Sequence, residues 1–354
     1  MTTLKDVARK AGVSTATVSY VLNNSDKKVS EKVAQRVREV ARELDYRPNM
    51  AARTLRLSRT NIIGIISEDV TTYQVSNILQ GVNQVADREN YQIILADLNL
   101  NEKVWTDEGQ DYTIVENYRE EIREKIRIFQ VAGAVGIIYI GMHDRDITGL
   151  FETDMPLVYA YCYTRNKKDH MVNADNQKIT TQAVEAMIRK GHRRIGLISG
   201  PVESVPAYKR LMGYQTALMQ ANLTLDPELI AYGKWGVASG GAACRKLMEL
   251  QKPPTAIFCM NDLMAIGAMK VLKEKGCQIG KDVDVMGFDD IDTCELVEPA
   301  LTTIRIPLTE LGRMAADKMI SLIQNKEEGE AWQELPCTLI ERESFVFSDS
   351  EKEE

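Results

Sequence analysis

The hydrophobic pattern of this 354-residue sequence changes at residue 61, and this change limits the chain to folds with two kinds of domain. Beyond residue 61, apolar runs alternate with amphipathic segments of helical period, such as 76–89, 176–190, 237–250 and 262–275. Continuous apolar strands separated by helices are typical of parallel sheets covered on both faces. The predicted strands are 61–67, 91–98, 134–140, 156–161, 193–199, 255–260 and 282–288. Their number suits an α/β core of two lobes, with a ligand cleft beyond the carboxyl ends of the strands.

The first 46 residues predict a small all-α domain instead. Apolar residues at helical spacing occupy 4–11, and Gly12-Val13 interrupts the run. Ser14 is a suitable N-cap for a second helix over 15–22, and Ser30 for a third that reaches residue 44. Two helices joined by a tight glycine-containing turn form a helix-turn-helix, whose second helix fits the DNA major groove.

Charge is distributed unevenly between these two parts. Residues 1–60 hold 13 of the 44 Lys/Arg and 6 of the 51 Asp/Glu, which leaves 31 and 45 for the rest of the chain. A basic head on an acidic body predicts that the head contacts a polyanion such as double-stranded DNA. A small domain that is basic by chance would have the same balance.

Composition and single-residue patterns argue against several classes of protein. The sequence starts without the apolar stretch of a secretory signal, and no later segment has the roughly 20 apolar residues that cross a bilayer. The six cysteines lack C-x-x-C spacing, so we expect reduced thiols rather than disulfides or zinc ligands. Nucleotide-binding glycine motifs are missing, and the three histidines lack metal-ligand spacing. We therefore expect a cytoplasmic protein that is not an enzyme, has no cofactor or metal, and does not contact a membrane.

The segment between the two parts, residues 46–56, has the sequence YRPNMAARTLR. Its proline stops the preceding helix, and Asn49 can cap a new helix of about two turns, which is too short to be stable alone in water. Such a helix folds only against a partner surface, and its arginines favour DNA as that surface. At the other end of the chain, the acidic residues 348–354 are predicted to be disordered.

Several sequence strings, in this order, resemble the lactose/galactose-repressor (LacI/GalR) family along nearly the whole chain. They are LKDVARKAGVSTATVSYVLNN at 4–24, YRPNMAARTLR at 46–56, GHRRIGLISGP at 191–201, MNDLMAIGAMKVL at 260–272, VMGFDDID at 285–292 and PALTTIRIPLTELGRMAADKM at 299–319. The resemblance implies a helix-turn-helix head, a hinge helix and a two-lobed core like that of periplasmic sugar-binding proteins. It also implies a homodimer that binds operator DNA, as a repressor, under the control of a small-molecule effector.

The resemblance and the hydrophobic pattern together predict the domain boundaries. They place the DNA-binding head at 1–46, the hinge and linker at 47–60, the N-terminal lobe at 61–173 and 292–324, the C-terminal lobe at 174–291 and 325–347, and the disordered tail at 348–354. The C-terminus has no leucine heptad, so we do not expect a tetramer held by a coiled coil.

For the DNA-binding head, the family positions that read bases correspond to Thr15, Ala16 and Tyr20. Thr15 offers a hydroxyl or a methyl group, and Ala16 offers an apolar contact to a thymine methyl. Tyr20 stands where arginine or histidine is common, so it either reads a base or contacts a phosphate. The residues expected to position the head on the DNA backbone are Ser14, Thr17 and Asn23.

For the hinge, the resemblance implies that Leu55 is an apolar wedge in the minor groove at the operator centre. Apolar wedges unstack a base step and bend the duplex, which brings more protein surface into contact. Alternatively, Leu55 packs the head onto the core. The residues expected at the minor groove are Asn49, Ala52, Arg53, Leu55 and Arg56.

For the effector site, the positions carried over from the family are Arg210, Trp235, Asn261 and Asp289. A tryptophan face stacks on the C–H face of a sugar ring, and the polar groups bind vicinal hydroxyls. Alternatively, Trp235 is a core or interface residue and Asp289 caps the following turn. Further candidates are Glu68, Tyr73 and Tyr161.

Two departures from the family pattern bear on the ligand. Tyr161 stands where aspartate is common, and the segment 99–115 is longer than usual, forming either a lid or, as we prefer, a surface insertion. We expect a sugar or sugar derivative rather than a purine co-repressor, because Ser204 and Pro206 occupy positions that are more polar in the purine-binding subtype. The alternative functions are transported-solute binding, which the basic head disfavours, and nucleotide-dependent catalysis, which no motif supports.

Overall fold

The structure is a computed structural model that describes residues 2–22, 29–46, 60–100, 118–326 and 330–347, with the backbone alone at 105–106 and 109–110. The chain divides into two compact units, Met1–Thr60 and Asn61–Glu354. In the described residues, the helices are α1 (Leu4–Ala11), α2 (Thr15–Leu22), α3 (Glu31–Glu43), α4 (Tyr73–Arg88), α5 (Arg119–Ala132), α6 (Asn176–Arg189), α7 (Val205–Gln220), α8 (Val237–Met248), α9 (Asp262–Glu274), α10 (Thr293–Leu296) and α11 (Leu308–Ile323). The strands are β1 (Ile62–Ser67), β2 (Gln92–Asp97), β3 (Trp105–Thr106), β4 (Gly109–Gln110), β5 (Gly136–Ile140), β6 (Leu157–Ala160), β7 (His170–Ala174), β8 (Ile195–Ser199), β9 (Ile230–Tyr232), β10 (Ala256–Cys259), β11 (Asp284–Met286), β12 (Thr303–Arg305), β13 (Trp332–Leu335) and β14 (Thr338–Ile340).

The N-terminal unit contains α1, α2 and α3 around a small apolar core. Thr3 and Asp6 form a reciprocal capping box at the start of α1, and Gly12, with φ +67°, ends that helix in the left-handed conformation. Val7, Val18 and Val37, one from each helix, are fully buried. The predicted three-helix head, with its tight turn between α1 and α2, is confirmed.

The first lobe of the core is built on a six-stranded sheet in the order β13-β7-β6-β5-β1-β2, in which neighbouring strands run parallel. The central strand β5 is buried along its whole length, as expected for a sheet covered on both faces. On α5, the side chains of Ile122, Ile126 and Phe129 are buried, which is the apolar face that the sequence pattern predicts. The short strands β3 and β4 pair antiparallel within the long segment 99–115, whose role stays a prediction.

Two glycines allow α4 and α11 to cross closely on this sheet. A methyl group at Gly81 would overlap the carbonyl oxygen of Thr309, and one at Gly312 would overlap the carbonyl oxygen of Ile78. Because each glycine faces the backbone of the other helix, the two helices approach more closely than side chains would permit.

The second lobe is built on a four-stranded parallel sheet in the order β11-β10-β8-β9. Its strands β8 and β10 are fully buried between helices. A separate antiparallel pair, β12 with β14, lies against this lobe: Thr302 and Ser344 hydrogen-bond to each other, and the hydroxyl of Thr303 donates to Asp262 at 2.5 Å. The two parallel α/β lobes confirm the predicted fold class.

Two strands lie beside the lobe opposite to the one predicted for their segments, whereas α11, within 292–324, packs on the first sheet. Residues 325–347 were assigned to the C-terminal lobe, but β13 pairs with β7 and forms the edge of the first sheet. Residues 292–324 were assigned to the N-terminal lobe, but β12 pairs with β14 beside the second sheet. The chain therefore crosses between the lobes at points that a linear hydrophobic pattern does not mark.

Candidate functional site

A cavity of about 250 Å³ lies beside the carboxyl ends of strands from both sheets of the core. Met142 and His143 follow β5 and Tyr161 follows β6 in the first lobe, whereas Asn261 follows β10 in the second. The carboxyl ends of parallel strands are the usual position of ligands in open α/β folds. The lining residues are Thr72, Tyr73, Gln74, Met142, His143, Tyr161, Ser204, Pro206, Arg210, Trp235, Asn261, Leu263, Asp289 and Ile291.

Arg210, on α7, is the buried cation of this cavity, with only 3% of its surface exposed. Its Nε donates to Oδ1 of Asn176 at 2.9 Å, and its Nη1 donates to the carbonyl oxygen of Met260. Its Nη2 lies 3.7 Å from Oδ1 of Asp289. The guanidinium also lies 3.5 Å from the centroid of the Phe288 ring, a cation–π distance. These contacts fix the side chain and balance its charge before any ligand enters.

Asp289 is the acidic partner of Arg210, and its burial opposes ionisation of the carboxyl. Burial raises the pKa of the Asp289 carboxyl to about 7, because the attraction of Arg210 only partly offsets the lost hydration and nearby Asp262 adds repulsion. A buried carboxyl with a strongly perturbed pKa, inside a cleft, is typical of a functional site. It can accept or donate a hydrogen bond to a ligand hydroxyl.

Tyr73 reaches the same cavity from the first lobe, at the start of α4. Its hydroxyl oxygen is buried beside the Asp289 carboxyl and makes no hydrogen bond of ordinary geometry among the described residues. Burial, followed by the charge of Asp289, raises the pKa of this phenol well above its usual value, so the hydroxyl stays protonated. A buried polar group without a well-formed hydrogen bond is rare in a native structure, and here it lines a cavity that a ligand can fill.

Trp235 and Asn261 are held by each other and by the second lobe. Asn261 is the N-cap of α9, where its Oδ1 accepts from the backbone of Met264 at 2.9 Å, and its Nδ2 donates to the carbonyl oxygen of Trp235 at 2.9 Å. The indole packs on Gly200, where a methyl group would overlap the ring. The ring is therefore supported from behind, as a stacking surface for a sugar requires.

Three residues that line the cavity have a left-handed backbone, which non-glycine residues rarely adopt. They are Tyr161 with φ +60°, Trp235 with φ +62° and Asp289 with φ +120°. Each follows a strand that ends at the cavity. Strained backbone of this kind clusters at ligand sites, where the surrounding structure holds it in place.

Of the residues predicted for an effector, the structure brings together Arg210, Trp235, Asn261 and Asp289, along with Tyr73 and Tyr161. Glu68 does not line the cavity. Its carboxylate is fully buried within the first lobe, where it accepts from the hydroxyl of Tyr139 at 2.6 Å, from the backbone of Met142 at 2.8 Å, and from Arg145. Both carboxylate oxygens therefore accept hydrogen bonds inside the lobe.

The prediction missed several lining residues. They are Thr72, Gln74, Met142, His143, Leu263 and Ile291, together with Ser204 and Pro206, which were considered only as evidence on ligand type. Met142 and His143 lie two and three residues after the end of β5, so their position after a predicted strand was a signal that could have identified them. Burial, with a smaller effect of Arg145, lowers the pKa of His143 well below its usual value, which keeps the imidazole neutral.

Lys209, next to Arg210 on α7, links the second lobe to the first by an ion pair. Its Nζ lies 2.8 Å from Oδ2 of Asp144 and 3.3 Å from Oε1 of Glu334. Asp144 follows β5, is fully buried, and accepts from the amide of Asn173 on β7 at 2.6 Å. This pair therefore joins the lobes beside the cavity.

In the N-terminal unit, the structure exposes the residues predicted to read bases at the start of α2. Ser14 Oγ accepts from the backbone of Thr17 at 3.0 Å and so caps the helix. Thr15 and Ala16 are exposed, and Tyr20 is half-buried. Their contacts with DNA stay predictions. The other predicted DNA contacts lie outside the described residues: Asn23, Asn49, Ala52, Arg53, Leu55 and Arg56.

In the described parts of the chain, no cluster of three or more His, Cys, Asp or Glu side chains could hold a metal ion. The six cysteines are free thiols. None of the helices described is both long enough and apolar enough to span a bilayer.

Comparison with known proteins places the chain among bacterial regulators. A family model described as bacterial regulatory proteins, lacI family, matches residues 3–49, and a periplasmic binding protein-like domain matches residues 184–345. The HTH-type transcriptional repressor CytR of Escherichia coli (strain K12) is 33% identical over 347 residues, covering 97% of this chain and 96% of CytR. The likeness to this transcriptional repressor thus extends over nearly the whole length of both proteins.

Two solved structures have the same fold. The Lac repressor dimer bound to operator and the anti-inducer ONPF matches with a TM-score of 0.79 and 26% identity, covering 98% of this chain and 99% of that one. The complex of the transcriptional regulator CelR with cellobiose matches with a TM-score of 0.63 and 27% identity, covering 97% and 100%.

Proposed function

Because this chain belongs to the lacI family of bacterial regulatory proteins, we propose that it is a cytoplasmic repressor that binds operator DNA as a homodimer and is controlled by a sugar-like effector. The effector occupies the cavity between the two lobes of the core. The relatives are transcriptional repressors and not enzymes.

The observation that carries this proposal is that functional groups from both lobes meet at one cavity. Tyr73 belongs to the first lobe, and Arg210 and Asp289 belong to the second. A ligand that bonds to both sets favours the arrangement in which the lobes are close together. The aromatic wall and the few directional polar groups are what a small hydroxylated ligand requires.

Effector control then follows from linkage between two sites. If the effector binds one arrangement of the lobes more tightly, and that arrangement sets the geometry of the paired hinges, operator affinity changes by the same factor as effector affinity. Couplings of this kind are about 1–3 kcal/mol, or roughly 5- to 150-fold. Whether the effector releases or promotes DNA binding depends on which arrangement it prefers.

On the DNA side, the exposed start of α2 is the element that enters the major groove. Thr15 and Ala16 contact base edges, and Tyr20 contacts a base or a phosphate one turn further along the helix. Leu55 and its twofold mate are inserted into the minor groove at the operator centre. The basic residues of the head supply attraction to phosphate that is independent of base sequence.

The test is a gel-shift experiment with the full-length protein and genomic DNA fragments, with and without a panel of sugars. We expect retention of specific fragments and a change in their affinity with one class of sugar. The matched control is Ala16→Glu, which places a negative charge at an exposed position facing the DNA. It should abolish the shift and keep ligand-induced thermal stabilisation of the core. Tight ligand binding without retention of any fragment at low salt would contradict the regulator function.

A further inference from the structure

One side chain of the second lobe is held by three elements of the first. Lys209, on α7, has its Nζ 2.8 Å from Oδ2 of Asp144, which follows β5, and 3.3 Å from Oε1 of Glu334 on β13. The same ammonium lies 5.9 Å from the centroid of the ring of Tyr163, which follows β6, and this is a cation–π distance. Each of these three partners belongs to the first lobe, so the group that they form with Lys209 spans the boundary between the lobes.

The carboxylate that pairs with Lys209 is fixed inside the first lobe. Asp144 has no exposed surface, and its Oδ1 accepts from the amide of Asn173 on β7 at 2.6 Å. Its Oδ2 is the oxygen that faces the ammonium of Lys209. If the lobes separated, this carboxylate would lose its cation, which is costly for a charge held in a buried position. Separation of the lobes therefore costs free energy whether or not a ligand is bound.

Lys209 is also the neighbour of a residue that lines the ligand cavity. Arg210 follows it on α7, lines that cavity, and lies 3.7 Å from Asp289 within the second lobe. Lys209 instead lines a separate cavity of about 290 Å³, together with Glu334 and the first residues of α6. Successive residues of one helix thus contact the ligand site and the opposite lobe. Movement of α7 away from the first lobe therefore breaks the contacts of Lys209 and alters the ligand cavity together.

We propose that Lys209, Asp144 and Glu334 form a latch that keeps the two lobes of the core closed in the absence of an effector. The latch raises the population of closed protein, and it thereby sets the operator affinity that the protein has before any effector binds. Without the latch, a ligand that prefers the closed core would bind more weakly, because part of its binding energy would be spent on closure. The inference rests on the proposed function only where it concerns the operator, since closure is a property of the core itself.

A second lysine–aspartate pair offers a matched control within one lobe. Nζ of Lys190 lies 2.7 Å from Oδ2 of Asp284, and their side chains are 28% and 4% exposed, against 22% and 0% for Lys209 and Asp144. The two ammonium groups lie 4.7 and 5.9 Å from the centroid of an aromatic ring. Asp284 keeps a second partner, His192 at 2.8 Å, when the lysine is replaced. Lys190→Met therefore removes a similar ion pair without changing the boundary between the lobes.

Closure is measured on the full-length protein, without ligand, from the distance between one spin label in each lobe. Lys167 follows β6 in the first lobe and Val202 follows β8 in the second, and both are exposed. Cysteines at these two positions, in a Cys277→Ser background, accept the labels, because the other five native thiols are buried. Labelled protein is diluted with unlabelled protein, so that pulsed electron paramagnetic resonance reports the distance within one protomer.

In the wild-type protein we expect one short distance between the labels. In Lys209→Met a longer distance should appear, and the ratio of open to closed protein should be at least about tenfold higher, because separation no longer breaks an ion pair with a buried carboxylate. Lys209→Arg keeps the charge and should stay close to wild type. Lys190→Met should keep the short distance, although it loses stability.

Operator binding is measured in gel shifts of the same ligand-free variants, with the DNA fragments that the wild-type protein retains. Lys209→Met should change the operator affinity by at least about threefold, whereas Lys209→Arg and Lys190→Met should not. The latch is overturned if Lys209→Met keeps the wild-type distance, or if Lys190→Met opens the lobes to the same extent. An open core with unchanged operator affinity would overturn its regulatory role.

These results separate the latch from the proposed function. Unchanged lobes in Lys209→Met, with normal retention of operator fragments, would remove the latch and leave the regulator function standing. If the wild-type protein retained no fragment at low salt, the regulator function would fail. The label distances would then still decide whether Lys209 closes the core.

Discussion

Replacing Lys209 by methionine tests whether the ion pair beside the cavity holds the two lobes together. Lys209 belongs to α7 in the second lobe, and Asp144 follows β5 in the first, with 2.8 Å between Nζ and Oδ2. Methionine keeps an unbranched side chain of similar length and removes the charge. Asp144 would then be left fully buried, with the amide of Asn173 as its remaining hydrogen-bond donor.

The magnitude follows from burial and distance. At 2.8 Å and an effective dielectric constant of about 20, the attraction between the two charges is about 6 kcal/mol before desolvation is subtracted. Removing one partner of a buried pair costs about 3–5 kcal/mol, because the other charge stays buried. The Lys209 side chain is 22% exposed, so water reaches part of the site and lowers this cost. We therefore expect a loss of about 2–4 kcal/mol in the free energy of unfolding of the core.

The pKa of Lys209 decides how the contribution of this ion pair to the free energy of unfolding changes with pH. Burial alone would lower the pKa of Lys209, but Asp144 and Glu334 outweigh burial and raise it above the usual 10.5. A group whose pKa is raised by folding contributes stability that is fully present below its unfolded pKa and is lost as the pH rises through the folded value. The contribution is therefore complete at pH 7, where the measurement is made.

The assay is urea unfolding of the full-length protein, followed by tryptophan fluorescence. The three tryptophans lie at positions 105, 235 and 332, all beyond residue 61, so the signal reports the core. The double variant Asp144→Asn/Lys209→Met removes both charges and should be closer to wild type than Lys209→Met alone. The argument is refuted if Lys209→Met lies within about 0.5 kcal/mol of wild type, or if the double variant costs as much as the single one.

Three further predictions concern ionisation, packing and DNA binding. Asp289 has a raised pKa in the folded state, so its stabilising contribution is complete below pH 3.8 and is lost as the pH rises through about 7. Asp289→Asn should therefore lose less stability than wild type between pH 4 and pH 8, which urea unfolding at both pH values measures. Gly81→Ala drives a methyl group into the Thr309 carbonyl and should cost about 2 kcal/mol or more, measured by the same unfolding assay; wild-type stability would disprove the close crossing of α4 and α11. Leu55→Ala should weaken operator binding much more than nonspecific DNA binding in salt-controlled gel shifts, and equal loss on both would remove Leu55 from the minor groove.

Most of the parallel strands could be predicted from the sequence, because a strand buried on both faces is a continuous apolar run. The run at 134–140 contains β5, and the run at 255–260 contains β10, both fully buried. The edge strand β13 was missed for the opposite reason. Its burial alternates between exposed and half-buried residues, so the sequence WQEL has no apolar run, and its place beside β7 depends on contacts distant in sequence.

The later lobe boundaries differ from the prediction for a related reason. The chain passes between the lobes after β7, between β12 and α11, and again after β13, and only the first of these crossings lies at a predicted boundary. Hydrogen bonds between residues distant in sequence hold β12 beside the second lobe. One example is the bond from Thr303 to Asp262, which lie 41 positions apart. Pairings of this kind cannot be predicted from local periodicity.

The candidate site could be predicted in part, because its polar residues follow strands or begin helices. Asn261 is an example, since it lies two residues after the end of β10 and caps α9. Glu68 lies immediately after β1, yet its carboxylate is turned into the lobe by Tyr139 and Arg145. Position after a strand identifies which residues lie near the cleft, whereas the direction of each side chain depends on partners elsewhere in the lobe.

The arrangement of the cavity lowers the stability of the ligand-free protein. Asp289 combines a left-handed backbone with burial that disfavours its charge, and Tyr161 and Trp235 also have left-handed backbones. Each such backbone costs roughly 1–3 kcal/mol, and the buried hydroxyl of Tyr73 adds to this. A ligand that bonds to Tyr73 and Asp289 relieves part of the cost only when both lobes are in contact with it. We therefore expect a ligand to bind a closed arrangement of the lobes more tightly than an open one, and that difference in affinity is the free energy available to alter DNA binding.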